Sequence, residues 1–202
     1  MVERIRSACL LALILLLNAC GGGPPPKLYL LEPVAIDAAA VAPTRTANHI
    51  RALGISIVEL PDYADNAQIA SLTTDGIISL DSGNRWAEEP ADAISRLLAD
   101  RLRRHAAATV LLEPWPRDYN PVARVTVIFD RLLREPQGGA EMAGQILLLS
   151  GDGRTLLEVL PFSFVHFGRN TDRREYFTSV SQGIDELAQM TVRALQKMSL
   201  KS

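Results

Sequence analysis

Residues that could carry out catalysis or hold a metal ion are few in this sequence and lie far apart. The histidines are His49, His105 and His166, and no two of them have the spacing of metal ligands. The chain contains neither a His-Glu-x-x-His nor a Gly-x-Ser-x-Gly motif. Gly151-Asp152-Gly153 lacks the third glycine and the following helix of a dinucleotide-binding loop, so it predicts a turn. We therefore predict no catalytic residue, no metal site and no cofactor.

Both cysteines lie within the first twenty residues, around an apolar segment. Arg4 and Arg6 precede this segment, which runs from residue 8 to residue 17. It is too short for a membrane-spanning helix, which needs roughly 20 apolar residues. Its length matches the apolar region of a secretory signal peptide, which has about 7–15 residues. We predict that residues 1–19 are a signal peptide.

The second cysteine, Cys20, ends the run Leu17-Asn18-Ala19-Cys20. This run resembles the lipobox of bacterial lipoproteins, in which a small residue precedes a cysteine that is lipidated and becomes the first residue. Asn18 departs from that pattern. The resemblance implies that Cys20 carries acyl chains, and two or more chains anchor a protein stably to a membrane. The alternative is an ordinary signal peptide followed by an unrelated cysteine.

A short Gly-Pro segment separates Cys20 from the rest of the chain. Residues 21–23 are flexible glycines, and residues 24–26 are prolines that form a stiff, extended spacer. We interpret residues 20–26 as the lipidated cysteine and its tether. Gly21 stands where lipoproteins of the inner membrane typically have aspartate, and this sorting analogy indicates the periplasmic face of the outer membrane.

The composition indicates one ordinary folded domain after the tether. The 202 residues are 48% hydrophobic and 22% charged, which argues against a wholly disordered chain. The formal net charge of −2 argues against nucleic acid as a partner, since nucleic-acid binding normally requires a basic excess. Residues 27–202 are therefore predicted to form a single periplasmic domain.

Apolar periodicity predicts a layered α/β fold for this domain. Helices are predicted at residues 88–106 and after Asp172, each with one apolar face. Strands are predicted at residues 27–31, 50–60, 69–73, 77–80, 109–112, 122–133, 141–150 and 154–167, with a connection at 32–49 that contains one helical turn at 36–41. Asp75-Gly76 favours a hairpin, and glycine-rich turns join the last three strands into an antiparallel meander. The predicted fold class is α/β, a single domain whose mixed sheet carries two main amphipathic helices.

The helix predicted at residues 88–106 ends in a basic segment, residues 101–104, that begins with Arg101. A helix C-terminus attracts positive charge through its dipole. We therefore interpret this segment as a solvated helix end. Asp92 and Arg96 have the i,i+4 spacing of a helix ion pair.

Several short motifs in the first half of the domain resemble those of a known family. They are a Leu-Pro-x-Tyr segment with Pro61 and Tyr63, a Gln-Ile pair at Gln68, and a Trp-Ala-Glu turn at Trp86 directly after Arg85. Together with the lipobox and the two helices, in this order, they are similar to the PqiC/YmbA-type ABC-transport auxiliary lipoproteins. The resemblance covers most of the chain after the tether.

This resemblance implies a non-enzymatic, membrane-anchored accessory protein of an intermembrane lipid-transport system that supports envelope integrity. The implied partners are an inner-membrane protein with mammalian-cell-entry domains and its associated ABC permease. The implied fold is like the N-terminal domain of TolB, and self-association into a homo-oligomer is a further expectation. Two alternatives stay open: a periplasmic lipoprotein for envelope assembly or polysaccharide secretion, and a periplasmic hydrolase.

The candidate site residues are those of the motifs: Pro61, Tyr63, Gln68, Arg85 and Trp86. Proline sets the backbone angle where a strand stops, and tyrosine and tryptophan combine a large apolar surface with one polar atom. Such aromatic side chains either seal the edge of a sheet or anchor a binding partner. The motifs are therefore predicted to be partner contacts or structural elements.

Replacing Cys20 by alanine (Cys20→Ala) is expected to abolish the incorporation of labelled palmitate, because the sulfur atom that would be lipidated is lost. Cells are grown with labelled palmitate, and the label is then measured on the isolated protein. Cys9→Ala, in the predicted signal peptide, is the control and keeps the label. A labelled Cys20→Ala protein would contradict this attachment site.

Overall fold

The computed structural model describes residues 24–32, 51–106 and 108–199. The predicted signal peptide, Cys20 and the helical turn at 36–41 lie outside these residues. Neither helix in the described part of the chain is long and apolar enough to cross a membrane.

Eight strands and two helices make up the described residues. The strands are β1 (Lys27–Tyr29), β2 (Ala52–Ile55), β3 (Gln68–Leu72), β4 (Ile78–Trp86), β5 (Thr109–Leu112), β6 (Ala123–Arg134), β7 (Gly139–Ser150) and β8 (Leu156–Phe167). The helices are α1 (Pro90–Ala106) and α2 (Arg173–Ser199). The α/β fold class predicted from the sequence is confirmed.

All eight strands belong to one mixed sheet arranged around β6. One edge of β6 pairs antiparallel with β7, which pairs antiparallel with β8, so the predicted meander is confirmed. The other edge of β6 is shared, because β2 pairs in parallel with its start and β3 meets its last residue, Arg134. β5 lies beside β2, whereas β4 and then β1 lie beyond β3. The sheet therefore has β1 at one margin and β8 at another.

Glycine closes the first turn of the meander. Gly138 and Gly139 have φ angles of 93° and 92°, in the left-handed region that favours glycine. A Cβ atom on Gly139 would lie 1.9 Å from the backbone oxygen of His166 in β8. A larger residue would therefore push β8 away from the start of β7.

The two helices pack together, with α2 on β7 and β8 and α1 beside β5. Their apolar faces share one core with the sheet, in which Ile94 of α1, Val127 of β6 and Ile184 of α2 are fully buried. Pro90 is the first residue of α1, where its missing N–H group costs nothing. The core therefore lies between the helices and one face of the sheet.

The strands predicted at residues 50–60 and 77–80 differ most in length from those observed. The strand predicted at residues 50–60 is only β2, because the N–H group of Val58 bonds to the buried Ser95 hydroxyl of α1, at 2.9 Å, instead of to a strand. Pairing with β6 resumes at the isolated bridge between Glu59 and Ile128. β4 is longer than predicted and extends to Trp86, because it pairs with β1 as well as with β3.

The predicted ion pair between Asp92 and Arg96 is replaced by another. Arg96 forms its ion pair with Glu88, which lies just before the first residue of α1. The long arginine side chain reaches back along the helix to a carboxylate outside it. This ion pair links the residues just before α1 to the second turn of the helix.

The β3–β4 hairpin is held to the start of α2 by an ion pair. Arg173 donates from Nε and Nη2 to Oδ2 of Asp81, at 3.0 and 2.9 Å. Asp81 also accepts hydrogen bonds from Gly83 and Asn84. Burial raises the pKa of Asp81, but the hydrogen bonds from Asn84 and Arg173 outweigh burial, so the pKa lies below its ordinary value. The charged carboxylate therefore stabilises the folded state.

Asp81→Asn is expected to lower the free energy of unfolding by about 1–3 kcal/mol at neutral pH, because charged hydrogen bonds are lost. A carboxyl group with a lowered pKa in the folded state stabilises it above the unfolded pKa of 3.8, and this contribution disappears as the pH falls further. In urea unfolding, the difference between the two proteins should therefore narrow from about pH 7 to about pH 3. Asp118→Asn, on an exposed loop, is the control with little effect. If the difference in free energy of unfolding between Asp81→Asn and the unchanged protein stays the same over this pH range, the role assigned to Asp81 is wrong.

Candidate functional site

Two of the motifs, at Gln68 and Arg85, meet where β3 and β4 pair, and the third forms a turn before β3. The backbone oxygen of Pro61 accepts hydrogen bonds from Ala64 and Asp65, at 2.7 and 3.1 Å, and so closes a turn before β3. Gln68 and Arg85 are partners in the register of the antiparallel β3–β4 pair. The fold thus brings together motifs that the hairpin separates in the sequence.

Trp86 lies in an aromatic cluster between the sheet and α2. Its surface is 3% exposed, and its ring centroid lies 4.7 Å from that of Phe177 and 5.9 Å from that of Tyr176, in edge-to-face contacts. Tyr29 of β1 stacks on Phe177 at 5.4 Å. Burial raises the pKa of Tyr176, so its hydroxyl stays protonated. The cluster fastens β1 and β4 to α2, which favours the structural interpretation for Trp86.

The other four motif residues are half-buried. The Tyr63 hydroxyl donates a hydrogen bond to the backbone oxygen of Asp130 in β6, at 3.3 Å. Pro61, Gln68 and Arg85 also keep part of their surface in solvent. A contact between these side chains and a partner stays a prediction.

Arg101 is buried between the two helices, with 1% of its surface exposed. This corrects the interpretation of residues 101–104 as a solvated helix end for Arg101, whereas Arg103 and Arg104 are exposed as expected. Arg101 follows Ile94 by seven residues and Leu98 by three, a spacing that places it on the buried face of α1. Its Nε atom lies 3.6 Å from Oδ1 of Asp185 in α2. The spacing is visible in the sequence and is the signal that predicts this burial.

Asp185 is the centre of a polar network that joins α1 to α2. Its carboxylate lies 2.9 Å from Nε2 of His105 and accepts a hydrogen bond from Gln189, at 2.7 Å. The network borders an open cleft of about 600 Å³ that also contains His166 and Glu186, whose side chains approach to 3.4 Å. Among the described residues, no group of three His, Cys, Asp or Glu side chains could hold a metal ion. Asp185 and Glu186 of α2 each face a histidine of a neighbouring element, in α1 and β8 respectively. These contacts therefore stabilise the packing of α2.

The outer face of β8 is apolar and exposed. Large apolar side chains exposed on this face are Leu157 (46%), Val159 (42%), Val165 (47%) and Phe167 (71%). Among the described strands β8 pairs with β7 alone, so its second backbone edge is open on both sides of Pro161, which has no N–H group. Long, apolar, unpaired strands are places where another chain adds a strand. These four side chains and the open edge are called the β8 surface below.

The sequence predicts the strand β8 but not its exposure. Phe162 is buried on the inner face and Val165 is exposed on the outer face, and both faces are apolar. Apolar residues on both faces are typical of a strand that is covered on both sides. Only the order of strands shows that β8 is at a margin of the sheet.

The sequence of the domain matches one protein family along most of its length. Residues 29–191 match the model of the ABC-type transport auxiliary lipoprotein component family. The chain belongs to this family. The PqiC/YmbA-type resemblance of the motifs is thereby confirmed. No curated protein matches the sequence of this auxiliary lipoprotein.

Solved structures have the same fold as this auxiliary lipoprotein. The crystal structure of an uncharacterized protein aligns with a TM-score of 0.67 at 17% identity, over 85% of this chain and 99% of that protein. Protein XCC0632 from Xanthomonas campestris aligns with a TM-score of 0.62 at 11% identity, over 77% of this chain and 92% of that protein. At these identities the likeness concerns the fold alone.

Membership in the family supports an accessory role for this lipoprotein in ABC-type transport. The family is one of auxiliary lipoprotein components rather than of enzymes. The aromatic cluster and the β8 surface both lie within residues 29–191. They therefore belong to the part of the auxiliary lipoprotein that the family model describes.

Trp86→Ala is expected to lower the free energy of unfolding by about 3–5 kcal/mol, because it leaves a cavity in the aromatic cluster. Phe167→Ala is the control, since this ring is mostly exposed and its loss should change the free energy by about 0.5 kcal/mol or less. Urea unfolding of both variants measures the difference. Equal effects would show that Trp86 does not hold β4 to α2.

Proposed function

We propose that this auxiliary lipoprotein is anchored to the outer membrane through Cys20 and acts without catalysis in an intermembrane lipid-transport system. Its partners are an inner-membrane protein with mammalian-cell-entry domains and the associated ABC permease. The family match supports a transport system, and the lipobox-like run supports the anchor. Gly21 supports the outer membrane through the sorting analogy.

The tether limits how far the folded domain moves from the membrane. Residues 21–26 separate Cys20 from β1, and such a segment spans no more than about 25 Å when it is fully extended. Its prolines at 24–26 are exposed and resist compaction. We therefore expect β1, the strand next to the tether, to lie at the margin of the sheet nearest the membrane.

The β8 surface is the main support for this function, because it lies at the margin of the sheet opposite to β1. The strands β4, β3, β6 and β7 lie between β1 and β8, and neighbouring strands are about 4.8 Å apart. The two margins are therefore separated by roughly 24 Å along the sheet. An apolar open edge held away from the anchor suits a partner that reaches across the periplasm.

The partner protein is expected to add a strand to β8. On either side of Pro161, which lacks an N–H group, the open edge offers backbone N–H and C=O groups for pairing, and the exposed side chains offer apolar area to be buried. Docking at this margin would fix the end of a lipid conduit at the outer membrane.

Photo-crosslinking in cells tests this docking. A photoreactive amino acid at Val159 or Val165 should capture the protein with mammalian-cell-entry domains, because both side chains are exposed on the β8 surface. The same amino acid at Asp92, exposed on α1, is the matched control and should capture no such protein. Mass spectrometry of the purified adducts identifies what is captured.

Three outcomes would contradict the proposal. Adducts of equal yield from Asp92 would show that capture is unspecific. Capture of a polysaccharide-export component would favour the alternative function in secretion. Adducts between copies of this chain alone would assign the β8 surface to a homo-oligomer.

A further inference from the structure

A polar cleft lies between the β3–β4 hairpin and the start of α2, apart from the β8 surface. Its volume is about 410 Å³, and it is open to solvent. Its polar lining includes the hydroxyl side chains of Ser71, Thr73, Ser79 and Ser82 and the guanidinium groups of Arg134 and Arg173. The cleft therefore offers many hydrogen-bond donors around one small volume.

Arg134 brings a positive charge into this cleft with one donor unpaired. The residue is 6% exposed, at the end of β6. Its Nη2 atom donates to the backbone oxygen of Thr171, at 2.9 Å. Its buried Nε atom has no hydrogen-bond partner among the described residues. Because an unsatisfied buried donor is unfavourable, an acceptor bound in the cleft would stabilise this arginine.

Arg173 is the second cation of the cleft and is already oriented by the protein. Its Nε and Nη2 atoms donate to Asp81, whose two oxygens also accept hydrogen bonds from Gly83 and Asn84. Asp81 is thus satisfied and balances one of the two arginines. Burial lowers the pKa of Arg134, and the charge of Arg173 lowers it further. The two guanidinium groups therefore leave an uncompensated positive charge in the cleft.

We propose that this cleft binds a phosphate-type oxyanion. A guanidinium donates in a planar fork that matches phosphate oxygens, and the unpaired Nε of Arg134 is part of such a fork. The hydroxyl groups supply further donors. This site does not depend on docking at the β8 surface.

The oxyanion has two sources, a lipid headgroup and free phosphate. Leu28 of β1 and Ile77 of the hairpin turn are each 64% exposed, and Leu80, which lines the cleft, is 42% exposed. These apolar side chains lie on the elements next to the tether, whose reach is about 25 Å. Membrane headgroups are therefore accessible to the cleft if the tether is anchored, as are phosphate ions in solution.

Isothermal titration calorimetry tests the site on the full-length protein in a non-ionic detergent and phosphate-free buffer. The probes are inorganic phosphate and dihexanoyl phosphatidylglycerol. Ser79→Glu places a negative charge in the cleft and leaves the hydrogen bonds of Arg134 and Arg173 in place, and Ser79→Gln is its neutral match. We expect saturable binding that weakens about tenfold or more in Ser79→Glu and at most about twofold in Ser79→Gln.

A second pair of variants distinguishes the contribution of the planar guanidinium donors of Arg134 from the contribution of positive charge alone. Arg134→Lys keeps the charge but loses the planar fork, so binding should weaken about tenfold. Arg154→Gln, which removes an exposed charge on the turn between β7 and β8, should bind as the unchanged protein does. Thermal unfolding of each variant verifies that it is folded.

The outcomes identify the source or overturn the site. If phosphatidylglycerol binds more tightly than phosphate and is equally sensitive to Ser79→Glu, the ligand is a headgroup. If it binds no more tightly, the ligand is free phosphate. Absence of saturable binding for both probes, or equal binding by Ser79→Glu and Ser79→Gln, overturns the proposal. Crosslinking from the β8 surface is a separate measurement, so the two proposals fail independently.

Discussion

The pairing of β6 on both of its edges is the constraint on which the rest of the structure depends. A buried strand must satisfy the backbone groups on each side, and β7 does so along nearly the whole of one edge. The other edge is divided between β2 at its start and β3 at its end. This division separates β2 and β5 from the β3–β4–β1 group. It also holds Val125 and Val127 in the core that both helices cover.

The two margins of the sheet differ in how they are stabilised. β1 has only three residues, too few to be stable through backbone pairing alone. Its attachment comes from Tyr29, which stacks on Phe177 of α2 beside Trp86. A force on the tether would therefore pass directly into the core. β8 is four times longer and keeps its place through full pairing with β7, so its outer edge and apolar face are left open among the described residues.

Two buried arginines show how similar burial leads to different roles. Arg101 lies within 3.6 Å of Asp185, in a network that also includes His105, so its charge is balanced between the helices. Arg134 has a backbone oxygen as its partner, and Asp81, whose charge acts on it, is already bound by Arg173. Burial of a charge without a full set of partners is unfavourable. The first arrangement is explained by the packing of the fold, whereas the second fits the oxyanion proposed for the cleft.

The sequence by itself determined the type and order of the main helices and strands, the meander and the family. Helix α1 follows from the spacing of Ile94, Leu98 and Leu102, and the β3–β4 hairpin from Asp75-Gly76, because such signals act between residues close in the chain. The ordered motifs likewise determined the family, since order and spacing are properties of the sequence.

Only the tertiary structure decided which candidate residues are accessible. It placed Trp86 in the core, left the outer face of β8 uncovered, and brought Arg134 and Arg173 to one cleft. Arg101 is an intermediate case, since its spacing predicts a buried face but its partner on α2 cannot be read from that spacing. The physical reason is that burial depends on which distant elements cover a side chain. Local periodicity shows which face is apolar, but the order of strands decides whether anything lies against it.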